Sequence, residues 1–263
     1  MNYNFPMFYF DEINGKKILK SDLIKNANAF FTTRDICICD KLAPLPREGA
    51  DTEEMAIEKN KKIISDYLNI ELKNMISPIQ THSANVDIAT ENKFYYPDTD
   101  GLILEKTNLA IFLNFADCTP LIFYDEKQNI GAISHAGWRG TAQKIALITA
   151  NKLINEFNSK PKDICVLIGP AICDKCYEVG VDVYNFFSAY HNMQISNPDK
   201  KFHIDLKEIN RKQLADIGIE KIDICPYCTC CDNEYFFSFR KENGTTLRHS
   251  AVLKLNKNLA QTY

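Results

Sequence analysis

Apolar residues recur along this chain of 263 residues at two spacings, one typical of helices and the other of strands. The helical spacing predicts helices at residues 51–68 and from 141 to 157, each with one apolar face. A third helix is predicted at residues 205–218, because Asp205 followed by Glu208 is typical of a helix start. These helices supply an apolar face to pack on other elements.

Shorter apolar runs predict strands between the helices. Residues 110–115, 121–124 and 130–134 form three consecutive runs that are too short for helices and rich in β-forming residues. Further strands are predicted at residues 165–168, 222–224 and 235–239. No repeat or linker divides the chain, so residues 1–263 are interpreted as a single α/β or α+β domain.

Composition favours small-molecule chemistry. Apolar residues make up 45% of the chain and charged residues 25%, with a formal net charge of −3, so a large core is expected without a basic surface for nucleic acid or an anionic membrane. The N-terminal residues lack the basic and apolar regions of a secretory signal, and no apolar run approaches the ~20 residues of a spanning helix. We therefore expect a cytoplasmic protein without nucleic-acid or membrane partners. The oligomeric state does not follow from the sequence.

Three short segments carry residues that bind metals. His82 ends Gln80-Thr81-His82, Cys118 lies between the first two of the three consecutive strands, and His135 lies at the end of the third. Two imidazoles and one thiolate would leave the fourth position of a zinc ion for water or substrate, as in catalytic sites. The trio therefore predicts an enzyme, with a hydrogen-bonded group in the protein core as the alternative.

Polar residues next to this trio suggest substrate contacts. The segment Gly137–Gly140 is interpreted as a strand-to-helix turn, which would place Arg139 at a helix N-terminus and create a binding site for an anion such as phosphate. Pairing of Arg139 with a surface carboxylate is the alternative. Asp117 could orient a metal ligand, bind a substrate hydroxyl or cap its own turn.

Ten cysteines in a chain of this size and expected location indicate reduced thiols or metal ligands rather than disulfides. Cys173-x-x-Cys176 and Cys225-x-x-Cys228 have the form of a four-cysteine zinc site. However, far more residues separate the two pairs than the about 15–20 of the familiar zinc ribbon. Packed, reduced thiols are therefore the favoured interpretation.

Together these segments resemble the YfiH family, whose members have long been labelled laccase-domain or polyphenol oxidase proteins. The residues that carry the resemblance are Phe31–Arg34, Gln80–His82, Asp100-Gly101, Ala116–Pro120, His135–Gly140, Ile168–Ile172, Tyr177–Gly180 and Phe236–Arg240. The resemblance covers most of the chain. It implies an α+β fold with layers in the order α/β/β/α and with mixed β-sheets.

The resemblance also implies zinc-dependent purine nucleoside chemistry. Family members are described as phosphorylases of adenosine, inosine and methylthioadenosine, with adenosine deaminase activity as well. One zinc ion would be held by residues matching His82, Cys118 and His135, which would also be the catalytic residues. Arg139, with Arg34 as a weaker second, would hold phosphate. Copper is less favoured, because a multicopper oxidase needs many histidines and this chain has five.

Some positions depart from the family pattern, and other functions remain as alternatives. Ser83 follows His82 where glycine is usual, and Leu247 precedes Arg248 where relatives often have glycine, which puts an anion-binding role of Arg248 in doubt. One rival is a cysteine hydrolase with Cys118 as nucleophile and His135 as base. Related to it is editing of peptidoglycan precursors, to which some bacterial relatives are linked. A non-catalytic metal-binding module is a further alternative.

Overall fold

Strands dominate the chain in a computed structural model that describes residues 7–39, 50–196 and 201–257. The strands are β1 (Phe8–Ile13), β2 (Lys16–Ser21), β3 (Ala27–Thr32), β4 (Met75–Ile76), β5 (Val86–Ile88), β6 (Gly101–Leu104), β7 (Ala110–Phe115), β8 (Thr119–Asp125), β9 (Ile130–Ala136), β10 (Ile164–Ile168), β11 (Glu178–Val179), β12 (Gln194–Ser196), β13 (Phe202–Ile204), β14 (Lys221–Ile224) and β15 (His249–Leu255). The helices are α1 (Ala50–Leu68), α2 (Trp138–Ala142), α3 (Ile145–Phe157), α4 (Val181–Asn185) and α5 (Leu206–Ala215).

Two six-stranded mixed sheets form the centre of the fold. The first has the order β1-β2-β3-β15-β7-β4, and only β4 and β7 pair in parallel. The second has the order β14-β10-β8-β9-β6-β5, with parallel pairs at both edges and antiparallel pairs between them. A smaller antiparallel sheet has the order β11-β13-β12 and was not predicted.

The two large sheets bury their facing sides against each other. Phe31 and Leu113 of the first sheet belong to the same buried cluster as Ile122 and Ile133 of the second. Burial of each such side chain contributes about 1.5–3 kcal/mol. This shared core fixes the positions of the strand ends at which the candidate site lies.

Helices cover the outer faces of both sheets. Ile64 of α1 packs with Phe30 on the outer side of the first sheet. Ala150 of α3 and Leu214 of α5 pack with Val166 on the outer side of the second. The layers therefore follow the order α/β/β/α, as expected from the family resemblance. The assignment of all 263 residues to one domain remains a prediction.

Most predicted elements are confirmed. The strands at 110–115, 121–124 and 130–134 are β7, β8 and β9, and those at 165–168 and 222–224 are β10 and β14. The start of α5 is also confirmed, because the Glu208 N–H donates to Asp205 Oδ1 at 3.0 Å. Within the described residues, no helix has the length and apolar character needed to cross a membrane.

Two elements differ from the predictions. The helix expected from residue 141 begins at Ile145, because Lys144 has a left-handed backbone (φ 65°) that separates it from the short α2. The strand predicted at residues 235–239 is wrong, because these residues form turns and irregular loop. Phe236 and Phe237 are buried there, so their aromatic character reflects core packing rather than strand pairing.

Candidate metal site and its surroundings

His82, Cys118 and His135 converge at one end of the central strands β8 and β9 of the second sheet. Their imidazole nitrogen and thiol sulfur atoms all lie within 4.8 Å of one another. Cys118 immediately precedes β8 and His135 is the next-to-last residue of β9, and the register of these strands pairs Pro120 with His135. His82 comes from the loop between β4 and β5. The structure brings together the three side chains that the sequence analysis expected to share one site, and their catalytic and metal-binding roles stay predictions.

A buried carboxylate orients His135. Asp100, directly before β6, is fully buried, and its Oδ1 lies 2.7 Å from His135 Nδ1. This contact engages one ring nitrogen, so Nε2 is the nitrogen that could bind a metal ion. Carboxylate, histidine and metal in this order form the usual arrangement of metal-binding histidines, in which the carboxylate fixes the tautomer and ring orientation.

Asp100 also holds the loop that carries His82. It accepts hydrogen bonds from the backbone N–H groups of Thr81 (3.0 Å), His82 (3.1 Å) and Ser83 (2.7 Å). The Ser83 hydroxyl adds a further bond of 2.9 Å. The backbone of His82 itself is left-handed (φ 65°), a conformation that needs such support. One carboxylate thus positions two of the three metal-competent side chains.

The electrostatics of the cluster favour a thiolate. Burial opposes ionisation of Cys118, but the His135 and His82 imidazoles lower the pKa of its thiol to about 6. Burial by itself would lower the pKa of His135, but the neighbouring Cys118 and Asp100 raise this pKa to about 9. Burial would raise the pKa of Asp100, but the His135 imidazole and the hydrogen bonds of Thr81 and Ser83 lower it to about 2. The thiolate is the form that binds metals and acts as a nucleophile.

The close approach of the chain at Gly137 is part of the site. A Cβ atom at this position would lie 2.9 Å from Cys118 Sγ and 3.0 Å from His82 Cδ2. The backbone of Gly137 is extended (φ −69°), so conformational freedom is not the reason for a glycine here. The absence of a side chain is what leaves room for the Cys118 and His82 side chains.

Arg139 and Arg240 lie on the exposed side of the site. Arg139 is the second residue of α2, stacks on the Trp138 ring at 4.3 Å and has no ion-pair partner within the described residues. Arg240 lies over the Tyr177 ring at 5.5 Å. Burial and the charge of Cys118 raise the pKa of the Tyr177 phenol, whereas Arg240 and Arg139 lower it. Both guanidinium groups are therefore within electrostatic reach of the same phenol. Arg240 has no predicted role, although its motif is part of the family resemblance.

Arg34 has a structural partner. Its guanidinium forms a two-pronged ion pair with Glu242 at 2.8 and 3.3 Å and stacks over Phe237 at 4.3 Å. These contacts join the end of β3 to the C-terminal loop. The predicted phosphate contact of Arg34 remains a prediction, for which its paired guanidinium gives no support.

Asp117 links the site to the C-terminal loop. Its backbone is left-handed (φ 88°), and its carboxylate accepts hydrogen bonds from the Thr229 hydroxyl at 2.6 Å and the Arg240 N–H at 2.7 Å. Asp117 therefore holds two parts of the loop beside Cys118. A contact with a substrate hydroxyl remains a prediction.

A second set of thiols differs from the predicted one. The sulfur atoms of Cys173, Cys176, Cys228 and Cys231 all lie within 4.8 Å of one another. Cys225, which the sequence interpretation placed in such a set, is instead buried in the core between the sheets. The fold brings these four free thiols together, and the choice between packed, reduced thiols and a metal site stays a prediction.

The layered α/β/β/α fold places two imidazoles and a thiol at the ends of central strands of the second sheet, in a set that could hold a metal ion. The family model described as multi-copper polyphenol oxidoreductase laccase matches residues 29–256. The chain belongs to this family, the YfiH family.

Individual relatives agree with this assignment. The chain is 30% identical over 254 residues to the purine nucleoside phosphorylase YlmD of Bacillus subtilis (strain 168), covering 89% of this chain and 90% of that protein. It is 32% identical over 191 residues to the adenosine deaminase RL5 of an unknown prokaryotic organism, covering 66% and 72%. The crystal structure of the hypothetical protein YfiH of Bacillus licheniformis superposes with a TM-score of 0.81 at 29% identity, covering 94% of this chain and 99% of that one.

Proposed function

We propose that this protein is a zinc-dependent purine nucleoside phosphorylase that converts adenosine, inosine or methylthioadenosine and phosphate to the free base and the ribose 1-phosphate. The convergence of His82, Cys118 and His135 within 4.8 Å carries this proposal. The names of its relatives support the substrate class. The proposal is tested by removing the metal with a chelator, which should abolish phosphorolysis, and by restoring activity with zinc.

The donor atoms fit zinc. Two imidazoles and a thiolate are ligands that zinc takes in catalytic sites, and the Asp100 contact to His135 Nδ1 at 2.7 Å supplies the outer hydrogen bond typical of them. A zinc ion held by these residues would supply a Lewis acid. Copper is the less favoured occupant. Multicopper oxidases depend on many histidine ligands, and this chain has five histidines.

In phosphorolysis, a phosphate oxygen forms a bond to C1′ of the ribose while the bond from C1′ to the purine nitrogen breaks. The electron pair of that bond leaves with the purine, which takes up a proton. We assign binding of the phosphate to Arg139 and Arg240, whose positive charges would hold the dianion beside the developing charge on the ribose. Tyr177, whose pKa is raised by burial, stays protonated and can donate a hydrogen bond.

Adenosine deaminase activity is included in the proposal. In this reaction water adds to C6 of the purine and ammonia leaves, so the products are inosine and ammonia. The relative named adenosine deaminase supports it. Both reactions require the purine to be held beside the His82, Cys118 and His135 cluster.

Substitution of Arg139 by alanine is expected to raise the KM for phosphate by about 10- to 100-fold, the effect of losing a charge-assisted hydrogen bond. Inosine binding should change much less. Steady-state kinetics with phosphate and inosine varied separately measure both values. Arg211→Ala is the control, because Arg211 is paired with Glu208 on α5. An unchanged KM for phosphate would contradict the assignment.

A cysteine hydrolase is the second candidate, because Cys118, His135 and Asp100 are arranged as nucleophile, base and orienting carboxylate. Editing of peptidoglycan precursors would be one form of it. Metal-free protein separates the candidates. A hydrolase would retain activity and show a mass increase on Cys118 from a trapped acyl intermediate, whereas the phosphorylase would be inactive and unmodified.

A further inference from the structure

Two C-x-x-C segments, Cys173 to Cys176 and Cys228 to Cys231, lie side by side beyond the C-terminal ends of β10 and β14. Strands β10 and β14 pair in parallel, and their pairing continues past the strand ends. The Cys225 N–H donates to Ile168 O at 2.8 Å, and Ala171 forms an isolated parallel bridge with Cys228. The segments that follow β10 and β14 therefore leave the sheet in the same direction. This topology brings together cysteines that are far apart in the sequence.

The four thiols have the spacing of ligands around a single ion. Their sulfur atoms lie within 4.8 Å of one another, and Cys176 Sγ lies 3.5 Å from Cys231 Sγ. Four sulfurs at the zinc–sulfur distance of about 2.3 Å form a tetrahedron with edges of about 3.8 Å. An iron–sulfur cluster places several atoms between its thiolates and so needs a wider set. All four cysteines are free thiols rather than disulfides.

Backbone N–H groups point at one of these sulfurs. Cys228 Sγ accepts hydrogen bonds from the Cys173 N–H at 3.3 Å and the Cys231 N–H at 3.4 Å. The first pair is also held in a turn, since the Cys176 N–H donates to Cys173 O at 3.0 Å. Such donors stabilise negative charge on a thiolate, the form that coordinates a metal.

We propose that Cys173, Cys176, Cys228 and Cys231 form a second metal site that binds zinc as a structural ion. Four sulfur ligands complete a tetrahedron and leave no position for substrate, which is the property of structural zinc sites. This site differs from the set of His82, Cys118 and His135, where three ligands leave a position open.

The four-cysteine site fastens one wall of the candidate active site. Tyr177 directly follows Cys176, and Thr229 directly follows Cys228 and donates to Asp117 Oδ1 at 2.6 Å. The residues that follow Cys176 also contact the loop that follows Cys231, because Arg240 Nη2 donates a hydrogen bond to Glu178 O at 3.0 Å. A metal ion bound by the four cysteines would therefore restrain the positions of Tyr177 and of the loop that carries Arg240.

Metal analysis of the purified full-length protein, expressed with zinc in the medium, tests the site. The wild-type chain is expected to contain two zinc ions, and Cys176→Ser and Cys231→Ser one each. His82→Ala is expected to keep the four-cysteine ion. Cys230→Ser is the matched control in the same loop, and Cys165→Ser is the distant one. Both are expected to keep two ions.

Cobalt gives a second readout that does not depend on folding of the cysteine variants. Co²⁺ added to the metal-free His82→Ala protein should produce the strong visible and near-ultraviolet absorption of tetrahedral cobalt bound to four thiolates. Absence of this absorption, or one zinc ion in the wild-type chain together with none in His82→Ala, would overturn the proposal. A disulfide between Cys176 and Cys231, detected by mass spectrometry in protein purified without added oxidant, would also overturn it.

Discussion

Replacement of Asp100 by asparagine is expected to weaken metal binding at His82, Cys118 and His135 by about 10- to 100-fold, although no ligand is removed. Asparagine has the same shape but only one acceptor oxygen. The Asp100 carboxylate oxygens lie 2.7 to 3.1 Å from His135 Nδ1 and from the backbone nitrogens of the His82 loop. A single acceptor oxygen cannot satisfy all of these groups. Competition with a chelating dye measures the affinity.

Asp98→Asn is the matched control for this experiment. Asp98 is an exposed carboxylate two residues away that contacts Thr81 and Asn85 rather than a metal-competent side chain. Its replacement should leave the metal affinity unchanged. Equal affinities of Asp100→Asn and the wild-type protein would contradict the role assigned to Asp100.

Substitution of Gly137 by alanine is expected to prevent metal binding at His82, Cys118 and His135 while the fold persists. The added methyl group would lie 2.9 Å from Cys118 Sγ and 3.0 Å from His82 Cδ2, so both side chains must move. Because the φ of Gly137 is −69°, alanine adds no backbone strain there. We expect loss of metal stoichiometry and of turnover, with a midpoint of thermal unfolding close to that of the metal-free wild-type protein.

Gly15→Ala is the control, and it is expected to give the opposite result, with lower stability but unchanged metal content. Gly15 has a φ of +71°, and no atom lies within 4 Å of the position that an added methyl group would take, so alanine there strains the backbone without touching the site. The strain should cost about 1 kcal/mol of stability, while the metal content stays complete. A Gly137→Ala protein with full metal content would show that the site tolerates the methyl group.

The closeness of Cys118 and His135 could be predicted, because local patterns determine it. Short continuous apolar runs mark β7, β8 and β9, and a hairpin between β8 and β9 necessarily brings Cys118 near His135. His82 has no such constraint in the sequence. Its approach depends on the loop that Asp100 holds, and a buried carboxylate before a strand looks the same in a sequence as one in a surface turn.

The four-cysteine set shows a different limit of sequence analysis. From spacing alone, Cys225 and Cys228 are the candidate partners of Cys173 and Cys176, because they form the first C-x-x-C motif of the C-terminal cysteine cluster. The parallel pairing of β10 and β14 instead puts Cys225 in the core and aligns the next C-x-x-C, Cys228 to Cys231, with Cys173 and Cys176. Long-range strand pairing sets this register, and no local spacing encodes it.

The most direct test of the proposed function is the release of hypoxanthine from inosine by protein of known zinc content, with and without phosphate. Release is expected only when phosphate and zinc are both present, with ribose 1-phosphate as the second product and no turnover by Cys118→Ala. Full activity of Cys118→Ala, or no phosphate-dependent release from any purine nucleoside by folded, zinc-loaded protein, would contradict the proposed function.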